Sequence, residues 1–258
     1  MARHVRQVFL ALLVPASLYA GLCLLVFLTQ RSQIYYPVRE SAAPGATPML
    51  FARDGAEIKV WTVERPGPAA LLYFGGNAED VGASIGLFAL RLPNHSLYFV
   101  NYRGYGGSTG RPSEDALVRD AVSLYDHVRA THSEVSVVGR SLGSGVAVQL
   151  ASGRDVRRLA LVTPFDSLVN VARTHFQWLP VGLLMRDRFD SAREAPAIAA
   201  DVLVIIAEAD EIIPRGRSDA LIEAFRSRPR VVVLEGARHN DIDLDSRYLD
   251  EIAAFLEI

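Results

Sequence analysis

The stretch from Val135 to Leu150 reads VSVVGRSLGSGVAVQL, and few folds accommodate it. Val135, Val137 and Val138 form a short β-branched apolar run, the signature of a buried strand. The chain then turns through Gly139-Arg140-Ser141-Leu142-Gly143 and continues into Val146, Ala147, Val148 and Leu150, which suit a helix. A strand that turns sharply into a helix leaves no room for side chains at Gly139 and Gly143, and holds the central residue in a strained backbone conformation. Ser141 occupies that position, so its hydroxyl is thrown clear of the sheet. The helix that follows aims its free N–H groups and positive end at the same point.

Strands and helices alternate on both sides of this turn. Residues 49–64 read as two strands joined at Asp54-Gly55, a hairpin signal. Strands follow at 69–74, 96–101, 158–162, 202–207 and 230–234, with helices at 78–92, 113–131, 217–226 and 245–258. Ser113 is the expected cap of the second helix. A hairpin followed by repeated βα units predicts an α/β fold: a mostly parallel sheet covered by helices on both faces. Residues 163–200 are too long for an ordinary connection. With Phe165, Phe176, Trp178, Leu179, Leu183, Leu184 and Met185 they suit either a small cap over the site or packed surface helices.

In such sheets reactive groups collect at the carboxyl ends of the strands. Asp210 follows the strand VLVIIA and His239 follows VVVLE, so both are expected in loops at the same edge as Ser141. The chemistry needs each of them. A serine hydroxyl is a poor nucleophile at neutral pH and requires a base, here His239. An acid, Asp210, holds that imidazole in the useful tautomer and stabilises its protonated form. Glu208, Asp166 and Asp241 are the lesser candidates for the acid. Of the other histidines, His127 and His132 fall in or just after a helix and are expected in solvent, while His4, His95 and His175 have no comparable setting. An oxyanion needs two N–H donors. The amide of Leu142 is one, and Gly75-Gly76-Asn77-Ala78 offers the amide of Asn77 as the other. Asn101-Tyr102-Arg103-Gly104-Tyr105-Gly106-Gly107-Ser108 is expected to pack beside the site and shape its wall.

Val8 to Leu28 is an uncharged apolar run whose 21 residues, at about 1.5 Å each, span a hydrocarbon core of about 30 Å. It is longer than a secretory signal core and lacks a good cleavage site, which favours an uncleaved anchor. The expected organisation is a tail at 1–7, a transmembrane anchor at 8–28, a linker at 29–48 with Tyr35 and Tyr36 at the membrane interface, and one globular domain at 49–258. Arginines flank the anchor on both sides, Arg3 and Arg6 against Arg31 and Arg39, so charge alone does not orient it.

Composition removes several classes. A net charge of −2 with no basic run argues against nucleic acid as a partner. The single cysteine, Cys23, builds neither a disulfide framework nor a zinc site. No metal or organic cofactor is implied. Among 27 basic residues only Lys59 is lysine, a bias typical of a GC-rich bacterial genome.

With these residues in view, the chain resembles the membrane-anchored α/β-hydrolases of the serine aminopeptidase-like and acyl-hydrolase-like group. The matching pieces are the anchor, Gln33-Ile34-Tyr35-Tyr36-Pro37, Gly76-Asn77-Ala78, Asn101-Tyr102-Arg103-Gly104-Tyr105-Gly106, the Ser141 turn, Asp210-Glu211-Ile212-Ile213-Pro214 and His239-Asn240-Asp241. The resemblance implies an eight-stranded sheet, a serine hydrolase with the triad Ser141, Asp210 and His239, and a bacterial inner-membrane anchor with the domain facing the periplasm. It departs at Gly75, where such proteins usually carry histidine. The expected activity is cleavage of carboxylic ester or thioester bonds in a small or lipid-like acyl substrate. A peptidase or amidase on the same triad, or a non-catalytic binding protein of the same fold, are the alternatives.

Overall fold

The computed structural model describes residues 2–257, with side chains from Leu12 onward. Eight strands form one sheet in the order β1-β2-β4-β3-β5-β6-β7-β8. They are β1 Thr47–Arg53, β2 Ala56–Val63, β3 Ala69–Phe74, β4 Ser96–Val100, β5 Glu134–Arg140, β6 Arg158–Val162, β7 Asp201–Ala207 and β8 Arg230–Leu234. The β1–β2 and β2–β4 pairs are antiparallel and all later pairs are parallel. The hairpin turns at Asp54 (φ 46°) and Gly55 (φ 71°), the left-handed pair that a two-residue hairpin requires.

The helices are α1 Ala2–Ile34, α2 Val81–Arg91, α3 Glu114–Arg129, α4 Leu142–Gly153, α5 Leu168–His175, α6 Val181–Leu184, α7 Ser191–Glu194, α8 Arg215–Ala224 and α9 Ser246–Glu257. Alternation along the strands sorts the core into two layers. On β3, Ala70, Leu72 and Phe74 face α3, α4 and α8, whereas Leu71 and Tyr73 face α2 and α9. Tyr73 stacks on Phe99 at 4.4 Å between ring centroids, with Phe88 of α2 edge-on to Phe99 at 5.2 Å. Burying each such ring contributes about 1.5–3 kcal/mol, so these layers hold the sheet against its helices.

Register sets where chemistry can gather. Phe74 pairs with Gly139, Arg140 with Val162, and Ala207 with Leu234, so the loops after β3, β5, β7 and β8 leave from one edge. The α3 cap is as expected, with Ser113 accepting from the amide of Ala116. The first helix of the domain starts later than residue 78, because Ala78 turns at φ 59° and Asp80 caps α2 by accepting from Gly82.

The N-terminal organisation differs from expectation. Residue 1 of the expected tail lies outside the described residues, and residues 2–7 belong to α1. The helix also continues past residue 28 to Ile34, into the expected linker. Leu12–Ile34 is long and apolar enough to cross a membrane, with a mean hydropathy of 2.2. The rest of the 29–48 segment is a strap packed on the domain. Tyr35 is buried rather than interfacial, with its hydroxyl on Asp187 at 3.1 Å, and Ala43 is buried in the other core layer. The strap's polar composition hid the spacing of Ile34, Tyr35, Val38, Ala43 and Ala46, which cover the two layers.

Candidate active site

The turn after β5 has the expected crowding. A Cβ at Gly143 would stand 2.0 Å from the carbonyl oxygen of Phe74, and one at Gly139 would stand 2.5 Å from that of Gly143. Backbone atoms cannot yield to such contacts, so only glycine fits either position. Between them Ser141 adopts φ 50° and ψ −116°, a strained conformation for a residue with a side chain.

The structure brings together the three side chains singled out from the sequence. Ser141 Oγ lies 2.8 Å from His239 Nε2, and His239 Nδ1 lies 2.8 Å from Asp210 Oδ2. A carboxylate only accepts, so the Nδ1 proton donates to Asp210 and Nε2 is left to accept from the serine hydroxyl. The backbone N–H groups of Ile212 and Ile213 donate to Asp210 Oδ1 at 2.9 and 2.7 Å, which fixes the carboxylate plane. His239 and the Asp210 carboxylate are both nearly excluded from solvent, a setting in which a charged hydrogen bond is strengthened.

The other candidate acids are engaged elsewhere. Asp166 accepts from Asn170 and pairs with Arg217, Glu208 accepts from the amide of Gly236, and Asp241 accepts from the amide of Arg238. His127 is exposed, with its ring 5.6 Å from that of Phe51. His132 is not solvated as expected. It is buried beside Val128 and Thr131, because the chain turns back under α3 to enter β5.

The loop after β3 lies against Ser141. Leu142 is the first residue of α4, where an amide has no intrahelical acceptor. Asn77 lines the same cleft as Ser141 and Leu142. Neighbours that sequence reading missed hold this loop. Glu79 Oε2 accepts from the amide of Gly76 at 2.6 Å, and Glu79 Oε1 accepts from the hydroxyl of Tyr73 at 2.7 Å. Burial, and then the charge of Glu79, push the Tyr73 phenol well up, so it remains a donor. Arg140 ties three loops together, reaching Glu79 at 3.7 Å, the carbonyl of His239 at 3.4 Å and Asp243 at 3.5 Å.

The Asn101–Ser108 loop packs behind the loop after β3 and braces it through two hydroxyls. Tyr102 donates to the carbonyl of Gly75 and Tyr105 to Oδ1 of Asn77, both at 2.7 Å. Asn77 Oδ1 also accepts from the amide of Tyr36 at 2.9 Å, and its Nδ2 donates to the carbonyl of Ile34 at 2.6 Å. The end of α1 therefore grips the loop beside the serine. The motif Gln33–Pro37 carried no chemistry of its own, and only its place in the fold reveals this contact.

Ser141 stands between two unlike cavities. One, about 400 Å³, is polar and lined by Asn77, Glu79, Arg140, His239 and Asn240. The other, about 290 Å³, is apolar and lined by Ile34, Phe165, Ala172, Met185 and Ile213 among others. Residues 163–200 contribute its far wall through Phe165, α5, Phe176 and Met185. Among the described residues no cluster of His, Cys, Asp and Glu suits a metal ion.

No family model matches the chain. It is 34% identical over 265 residues to an uncharacterized protein of Mycobacterium tuberculosis, an alignment covering 94% of this chain and 92% of the relative. It is 30% identical over 208 residues to the alpha/beta hydrolase domain-containing protein aho-3 of Caenorhabditis elegans, covering 76% of this chain and 61% of that longer protein. Among solved structures, the Pyrococcus furiosus esterase Pf2001 superposes with a TM-score of 0.71 at 14% identity, over 86% of this chain and 98% of that one. The enol-lactonase from Burkholderia xenovorans LB400 superposes with a TM-score of 0.65 at 19% identity, over 81% and 100% respectively. Sheet order, the strained serine turn and these likenesses converge: the chain belongs to the α/β-hydrolase family.

Proposed function

We propose that this protein is a membrane-anchored serine hydrolase that cleaves carboxylic ester or thioester bonds through an acyl-enzyme. The observation that carries the reading is the unbroken relay from Ser141 Oγ to His239 to Asp210, with both links at 2.8 Å. Ser141 Oγ attacks the carbonyl carbon of the substrate as its proton passes to His239 Nε2. Asp210 stabilises the imidazolium that results and does not itself take the proton. The tetrahedral oxyanion is held by the backbone N–H groups of Leu142 and Asn77. Collapse expels the alcohol or thiol, which takes the proton from His239. Water then attacks the acyl-serine with His239 again as base, releasing the carboxylic acid and restoring the hydroxyl.

The unlike cavities favour an ester or thioester with an apolar acyl part and a polar leaving group, the acyl part lying on the α5–α6 side. The curated name of one relative and the esterase and lactonase among structural neighbours agree with hydrolysis. The anchor is α1, with the domain on the periplasmic side of a bacterial inner membrane, as the resemblance implies. An alkaline phosphatase fused at the C-terminus reports that side by its activity, and an inactive fusion reverses the orientation.

The deciding experiment treats membranes carrying the full chain with a fluorophosphonate probe. Wild type is expected to label and Ser141→Ala to remain unlabelled. A folded wild type that takes no label overturns the reading and favours a binding protein of the same fold. Steady-state comparison of ester, thioester and peptide substrates then separates the esterase from a peptidase on the same residues.

A further inference from the structure

The apolar cavity beside Ser141 does not end under the cap. A second cavity, about 210 Å³, continues it and shares Gln33, Ile34, Ala172, Phe176 and Met185 with the first. It reaches Val26 on α1 and Leu179 in the α5–α6 connection. One side of this groove is therefore the anchor helix itself, and the other is the 172–185 segment.

That segment lies along the apolar length of α1. Tyr19 donates its hydroxyl to the carbonyl of Trp178 at 2.8 Å, and Gln30 donates to the carbonyl of Leu184 at 2.9 Å. Tyr19 and Gln30 are separated by about 16 Å of helix at the standard rise, roughly half the depth of a hydrocarbon core. Between Arg173 and Arg186 the chain carries no Asp, Glu, Lys or Arg. Trp178 is 58% exposed and Leu183 86% exposed, with Phe176 also open to the surroundings. Such a patch is costly in water and favourable in lipid.

Part of the segment's backbone is paired internally, which lowers its cost in lipid, where every N–H and C=O needs a partner. The amides of Leu179, Val181, Leu183 and Met185 all find carbonyls within the segment. Charged side chains gather where the segment rejoins the domain, and Arg188 reaches back to donate to the carbonyl of Gly182 at 3.1 Å. Arg186 lies over the ring of Phe27 at 4.1 Å, and Arg31 pairs with Asp187 at 2.9 Å. This is the arrangement of a boundary between headgroups and acyl chains, where long cationic side chains keep their heads in the polar layer.

Building on the hydrolase reading above, we propose that the groove between α1 and the 172–185 segment opens within the bilayer and delivers a long acyl chain of a membrane-resident ester or thioester from the lipid to Ser141. The substrate leaves its apolar chain in the groove, while its polar leaving group occupies the cleft lined by Glu79, Arg140 and Asn240. The anchor then serves as a wall of the binding site in addition to holding the domain at the membrane.

The test uses the full chain in phospholipid nanodiscs. Ala172→Trp fills the junction of the two cavities, and Met185→Trp fills it from the opposite side. For p-nitrophenyl esters, the ratio of kcat/KM for the dodecanoyl over the butanoyl substrate is expected to fall about tenfold or more in either variant, as a pocket that loses room for methylenes discriminates against them. Leu90→Trp, on the exposed face of α2, leaves that ratio unchanged. A diazirine-bearing hexadecanoic acid is expected to crosslink to residues 26–34 and 172–185 in a Ser141→Ala background, and to lose those crosslinks in Ala172→Trp. Lipids brominated along their acyl chains are expected to quench tryptophan emission in wild type and not in Trp178→Phe, since Trp61 lies in the sheet. A chain that labels with fluorophosphonate yet shows neither the ratio change nor the crosslinks overturns the groove alone. Crosslinks at those residues in a chain that takes no fluorophosphonate overturn the hydrolase reading while the groove stands. Absence of quenching places the mouth of the groove in water and overturns entry from the bilayer.

Discussion

The side-chain amide of Asn77 donates to the backbone carbonyl of Ile34 at 2.6 Å, joining the loop after β3 to the last residue of α1. Two more hydrogen bonds, from the amide of Tyr36 and the hydroxyl of Tyr105, fill its Oδ1. An oxyanion donor works only if it is held in place before charge develops, and losing one such donor costs about 10²–10³ in kcat. Asn77→Ala keeps the backbone N–H and loses all three side-chain ties. Its kcat is expected to fall about tenfold to a hundredfold with little change in KM. The domain cut free near residue 45 is expected to label more slowly with fluorophosphonate than the full chain in detergent, because Ile34 and Tyr36 are gone. Equal labelling rates would remove any role for α1 at the site.

Asp210 offers a sharper test of the relay. Its Oδ1 is committed to the amides of Ile212 and Ile213. In Asp210→Asn the amide oxygen takes that position, which turns the new NH2 group toward His239 Nδ1. Two donors cannot face each other, so the imidazole moves its proton to Nε2 and can no longer accept from Ser141. The expected loss is ~10⁴-fold in kcat with KM and thermal stability nearly unchanged. A loss confined to KM would show that Asp210 contributes to binding and not to proton transfer.

Gly75, where the resemblance leads one to expect histidine, is expected to resist restoration. A Cβ there would sit 2.5 Å from Cγ1 of Val81 and 3.2 Å from the carboxyl carbon of Glu79. Gly75→His therefore overpacks the loop, at a cost of about 1–3 kcal/mol. In a domain of this size that lowers Tm by about 2–12 °C, read by differential scanning calorimetry. Faster fluorophosphonate labelling with unchanged Tm would instead mean that the missing imidazole weakens the natural site.

What was legible in the sequence followed from local rules. The glycines around Ser141 announce a turn that excludes side chains, and alternating apolar runs announce a parallel sheet, so Ser141, Asp210 and His239 are found by reading the residue after each strand. The roles of Ile34, Glu79 and Tyr105 were not legible, because each acts through a contact between segments remote in sequence. Residues 29–48 misled for a related reason. Their polar residues dominate the composition, while the few apolar ones that pack, such as Tyr35 and Ala43, follow no period that a helix or strand would impose. His132 misled too, since burial after a helix depends on where the following strand enters the sheet.

His95 gives a pH dependence far from the chemistry. It precedes β4 at the opposite edge of the sheet from Ser141 and is buried, with Nδ1 lacking a hydrogen-bond partner. Burial lowers its pKa, with the charges of Glu257 and Glu134 pulling the other way. An unfolded histidine takes up its proton near pH 6.5, whereas the folded chain accepts one only at lower pH. Between those values the unfolded state binds more protons, so stability rises with pH in that window and falls as pH drops through it. His95→Gln removes the titration and keeps a polar side chain of similar reach. The drop in Tm from about pH 7.5 to about pH 5.5 is expected to be smaller in the variant than in wild type, with carboxylates contributing equally to both. Parallel curves for the two proteins would mean that His95 titrates alike in the folded and unfolded chains.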